Sequence, residues 1–96
     1  METPALREDL NNSYGFNLPE VFAMDALETI LAEKINTLIT ADFNGLIQLL
    51  YRIDVSEPKL KKILRENAAT DAGLLIARLI LERQWQKIET RRRFGS

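Results

Sequence analysis

A chain of 96 residues, 46% apolar and 28% charged, is sized for one folded domain with an ordinary hydrophobic core. Its formal net charge of −1 and isoelectric point near 5.4 exclude a wholly basic nucleic-acid-binding domain. It has no cysteine and no histidine, which excludes disulfides, thiolate chemistry and the imidazole that most general bases and transition-metal sites use.

The N-terminal stretch METPALREDL shows neither a basic segment nor an apolar run of the signal-peptide kind, so no leader is expected. Residues 1–16 are poor in apolar side chains and contain the turn-forming cluster NNSYG. They are expected to form an arm, with at most a brief helical turn around Ala5–Leu10. The first firm helix signal is FNLPEV. With Asn17 as N-cap, Pro19 falls in the first turn and Glu20 sits where a capping box needs it, while Phe16 and Val21 occupy the positions of a hydrophobic staple. Val21, Met24, Leu27, Leu31, Ile35 and Leu38 then recur in steps of three and four, one stripe along a helix of about six turns.

Thr40 or Asp42 would cap the next helix, in which Phe43, Leu46, Ile47, Leu50 and Tyr51 are the apolar positions, with Leu49 and Ile53 alongside. Gly45 lowers helix propensity there, as expected where another backbone approaches. DVSEP ends that helix. Ser56 is preferred over Asp54 as the following N-cap, because an Asp54 cap would place Pro58 where its missing N–H forfeits the first intrahelical bond. The third helix, Glu57 to Glu66, turns Leu60, Ile63 and Leu64 inward. Asn67 closes it, Thr70 or Asp71 caps the next, and a long fourth helix spans about 72–92.

Nothing alternates with the period of a strand. The expected fold is therefore all-α: a small four-helix domain over residues 17–93, with two long and two short helices, an N-terminal arm at 1–16 and a tail at 94–96.

For chemistry there is little material. The acids fall mostly at helix starts or on polar faces (Glu20, Asp42, Glu57, Asp71), where capping explains them. Glu28 and Glu33 lie five apart, on different faces of their helix, and no calcium-loop or phosphate-loop pattern occurs. Gly73, near a helix start, is a lone glycine and only a faint anion-binding signal. The residues point to a protein that is not an enzyme and uses no cofactor and no metal. Apolar runs such as Leu79–Leu81 fall far short of the about 20 residues of a membrane span. A cytoplasmic protein is expected.

Two features point to partners. The first is charge: residues 1–33 carry seven acids and one base, residues 34–96 seven acids and twelve bases. Lys59, Lys61, Lys62 and Arg65 stand on the second element of a pair with helix-turn-helix lengths, and Arg91, Arg92 and Arg93 end the last helix. Both groups could meet phosphates. EPKLKK, however, offers an acid and a proline where base-reading side chains should fall. The three arginines could equally grip an acidic partner. The second feature is breadth. Leu74, Ala77, Leu81, Trp85 and Ile88 make one stripe of the last helix, and Leu75, Ile76, Leu79 and Ile80 cover much of the rest. A helix apolar all round is either central or covered by a second chain, so an interface through Leu75, Ile76, Leu79, Ile80, Trp85 and Ile88 is expected.

The segments FNGLIQLLYRIDVSEPKLKKIL and LIARLILERQWQKIETRRRF resemble small uncharacterised all-helical bacterial proteins, over roughly residues 27–93. The resemblance implies a helical fold and brings no activity, cofactor or substrate. The function expected from the sequence is a non-enzymatic helical protein-interaction module that forms a homodimer or binds another protein. The alternative is a nucleic-acid-associated regulator using the basic residues of the third and fourth helices.

Overall fold

In a computed structural model describing residues 1–95, the chain forms five α-helices, and no strand occurs among the described residues: α1 Thr3–Tyr14, α2 Met24–Ala41, α3 Phe43–Ile53, α4 Glu57–Glu66 and α5 Ala72–Phe94. The all-α expectation holds and the element count differs. Of the residues expected as a C-terminal tail, Phe94 completes α5 and Gly95 comes after it, while position 96 lies outside the described residues.

The arm is a helix. α1 buries Thr3, Leu6 and Leu10 against the rest of the molecule, and Gly15 ends it in the left-handed conformation (φ 68°) with its N–H bonded to the Asn11 carbonyl. The expected capping box at Asn17 does not form. Asn17 adopts φ 57°, a region where asparagine is enriched among non-glycine residues, and the chain then runs without regular secondary structure to Ala23. The Asn11 side chain grips Leu18 on both backbone atoms, accepting from its N–H (2.7 Å) and donating to its carbonyl (3.0 Å), to which Arg7 also donates. Leu18 is thereby driven into the core. Two satisfied backbone groups and a buried leucine outweigh a local cap worth about 1 kcal/mol, so α2 starts at Met24 and Glu20 is left exposed outside any helix.

The other helix starts obey their local signals. Asp42, Ser56 and Asp71 cap α3, α4 and α5 by accepting from the amides of Gly45, Lys59 and Leu74. Gly45 is explained by its cap, since a Cβ there would collide with the Asp42 carboxylate rather than with another backbone. Asn67 closes α4, its side-chain amide donating to the Ile63 carbonyl.

α2 and α5 form the spine, and α1, α3 and α4 all rest on α5. Leu27, Leu31 and Ile35 of α2 meet Ile76, Ala77, Ile80 and Leu81 of α5 in one core, joined by Leu6 and Leu10 from α1 and by Leu46, Leu50 and Ile53 from α3. α2 and α5 approach closely at Gly73, where an added Cβ would strike the Asn36 side chain. Asn36 in turn donates to the capping carboxylate of Asp71 (2.9 Å). The space a bound anion would need at Gly73 is therefore filled from within.

Candidate interaction surfaces

Four surfaces compete for a functional reading: the broad apolar face of α5, the arginines at its end, the lysines of α4, and α3.

The apolar breadth of α5 is used inside one chain. Leu75, Ile76, Leu79, Ile80 and Ile88 are all buried, and Trp85 is half-buried against the core. The physical reason is placement: a helix that receives α2, α1, α3 and α4 on different sides is central. Leu79 illustrates this, since it lies beneath the α3–α4 connection, in a cleft shared with Val55, Ser56 and Lys59. Of these six side chains, expected at an interface with a second chain, five are covered within one chain and Trp85 is covered in part.

The C-terminal arginines meet the acidic first third of their own chain. Arg91 donates to Asp9 (2.7 Å) and Arg92 forms a two-pronged pair with Glu2. Arg92 also lies over the Trp85 ring, 5.3 Å from its centroid. Hydrogen bonding to Arg92 holds the Glu2 carboxyl below the usual carboxylate range, and the same contact raises Arg92. Behind the arginines, Asp9 also accepts from buried Gln84, which accepts from the Tyr14 hydroxyl, itself bonded to Lys87. This chain of polar contacts fastens α1 to α5. Arg93 has no carboxylate partner among the described residues and lies beside the Phe94 ring.

The α4 lysines are partly committed too. Lys59 pairs with Glu82 of α5 at 2.5 Å, and Lys61 with Glu57 one turn back at 3.0 Å. Lys62 and Arg65 have no carboxylate within ion-pair reach among the described residues. α3 and α4 rest on α5, with little contact between each other. The turn joining them is pinned by Arg83, which donates to both the carbonyl and the carboxylate of Asp54 (3.0 and 3.1 Å). The pair is organised around α5, on which both of its helices rest.

α3 is different. Its core side, Leu46, Leu50 and Ile53, is buried. At about 100° per residue, Phe43, Ile47 and Tyr51 fall in the adjoining arc, in steps of four. They are 56%, 47% and 87% exposed. The helix is rigidly presented. Asp42 caps its start, Asp54 closes it in the left-handed conformation (φ 67°), and Arg52 ties its far side to α1 by donating to the Ser13 carbonyl (3.2 Å) over the Tyr14 ring. Lone exposed apolar residues are ordinary on a protein surface, whereas contiguous ones mark contact sites. The signal was present in the sequence: seven apolar residues in an eleven-residue helix make an arc wider than one packing contact covers.

No cluster of three or more potential metal-ligating residues occurs among the described residues. No described helix is long and apolar enough to cross a membrane. Compared with protein-family models, curated proteins and solved structures, the chain matches none.

Proposed function

We propose that the chain is a non-enzymatic helical module that binds protein, its own copies first, and that α3 is its contact surface. The exposed stripe Phe43–Ile47–Tyr51 carries the reading, because it combines aromatic anchors with a helix held rigid at both ends. Exposed tyrosine and phenylalanine supply large contact area for the loss of few rotatable bonds. A cytoplasmic location is part of the proposal and rests on the cysteine-free composition.

Sedimentation equilibrium of the wild type and of Ile47→Asp, from about 1 µM to about 1 mM to reach the weak end of specific interfaces, tests it. A concentration-dependent dimer that Ile47→Asp abolishes, with unchanged circular dichroism, supports the reading. A monomer throughout, or a dimer indifferent to the substitution, contradicts it. The nucleic-acid alternative draws on Lys62, Arg65 and Arg93, the patch residues with no carboxylate partner among the described residues. Absence of duplex binding at low salt, where phosphate contacts are strongest, removes that alternative.

A further inference from the structure

We propose that the cleft where α1, α2 and α3 meet binds a small aromatic carboxylate, its anionic group held by Lys34 and Arg52 and its ring lying against Phe16, Leu38 and Leu49. The site is independent of the exposed α3 stripe. At about 100° per residue, Leu49 and Arg52 lie about 160° and 140° round α3 from Ile47, so the cleft is on the side of the helix away from that stripe.

Three elements build the walls. Tyr14 and Phe16 flank the left-handed turn at Gly15 and meet edge to face, their ring centroids 6.4 Å apart. The Tyr14 ring is fixed, since its hydroxyl donates to Gln84 and accepts from Lys87. Leu38 comes from α2 and Leu49 from α3, each half-buried and each still lining the cleft, whose volume is about 400 Å³. That is near the lower end for small-molecule sites, so the ligand is small. A ring entering here extends the Tyr14–Phe16 pair in the edge-to-face or offset manner that aromatic groups prefer.

Charge selects the other end of the ligand. Lys34 is half-buried, yet its ammonium has no hydrogen bond or ion pair among the described residues. A cation partly removed from water gains from a partner. Arg52 donates to the Ser13 carbonyl and lies over the Tyr14 ring, 5.4 Å from its centroid. Most of its five N–H donors remain free for a planar, two-pronged pair with a carboxylate. The carboxylate that also lines the cleft, Asp42, is committed to the Gly45 amide. Lys34 stands eight residues before Asp42 and Arg52 ten after it, about 12 and 15 Å away along their helices at 1.5 Å rise per residue. Two cations against one distant acid leave a single net positive charge in the lining. That matches a monoanion, whereas a polyphosphate brings more negative charge than the cleft offsets.

The test is a titration of the wild-type chain with naphthoate, followed by amide NMR on a sample dilute enough that self-association shifts nothing. Its neutral counterpart naphthamide and inorganic phosphate are titrated in parallel. The expected result is saturable shifts in residues 14–16, 34–38 and 48–52, with a Kd below about 1 mM, about tenfold weaker binding of naphthamide, and no saturable effect of phosphate. Lys34→Met should weaken naphthoate about tenfold, the effect of losing a hydrogen bond to a charged group, and Lys34→Arg should restore it. Lys34 has no bond to lose within the chain, so unchanged circular dichroism should accompany the loss. Lys62→Met, which removes an unpaired cation outside the cleft, should bind as the wild type does. Equal binding of naphthoate and naphthamide, or of Lys34→Met and wild type, would overturn the inference. So would shifts centred on Phe43, Ile47 and Tyr51, or phosphate binding as tightly as naphthoate. None of these outcomes depends on whether the chain self-associates.

Discussion

The first half of α5 and the outer face of α3 are both rich in apolar side chains, yet one is covered and the other bare. In α5, the stretch from Leu74 to Leu81 is apolar in nearly every direction, and helices on its several sides consume that surface. In α3 the apolar arc is one-sided, wide and only partly used: Leu46 and Leu50 go to the core while Phe43, Ile47 and Tyr51 remain outside. Total hydrophobicity therefore does not mark an interface. A helix apolar on all sides is evidence for a central position, and the surplus beyond what one contact needs appears on a helix at the edge of the fold.

Substitutions break or sharpen this contrast, beginning with the core. Ile80→Ala in α5 should cost about 2–5 kcal/mol, whereas Tyr51→Ser on α3 should stay within about 0.5 kcal/mol; urea unfolding monitored by circular dichroism measures both. Leu10→Ala is next, expected at about 2–4 kcal/mol because Leu10 is fully buried; a neutral result would return α1 to the status of an arm. Gly73→Ala should cost about 1–3 kcal/mol as the added methyl displaces Asn36 from the Asp71 cap, and Asn36→Ala combined with it should relieve part of that loss.

The smallest effect concerns the α1–α5 ion pair. Glu2 has its pKa depressed by the hydrogen bond from Arg92, so its contribution is present above the unfolded carboxylate value and is lost as pH falls through the folded one. Hydrogen exchange of the α1 amides should be slower in the wild type than in Glu2→Gln at neutral pH, and equal once the carboxylate is protonated.

How far the sequence could be read depended on whether local or distant contacts decided each element. The cap at Ser56, the third helix from Glu57 to Glu66 and the apolar stripe centred on Leu27, Leu31 and Ile35 obey local rules and were legible, and the structure chooses Asp71 over Thr70 for the last cap. α1 was not, because its two buried leucines make a thin stripe. Much of what holds it is distant: Arg91 on Asp9, Gln84 on Asp9 and Tyr14, and Arg52 on Ser13. The capping pattern at Asn17 was present and unused, since the grip of Asn11 on Leu18 takes up the backbone groups of that stretch. The α3 surface was legible only as residues. Phe43, Ile47 and Tyr51 stood among the apolar positions of their helix, but nothing in the sequence said that α2 and α5 would cover one side of that helix and leave this one bare.

The most direct test of the central claim is a dilution series of amide NMR spectra on the wild-type chain. Pairing through α3 predicts concentration-dependent shifts concentrated in residues 42–52, with the amides of Leu75–Ile88 unmoved. Shifts centred on α5 or α4, or spectra that do not change up to about 1 mM, the weak end of specific affinities, would contradict it.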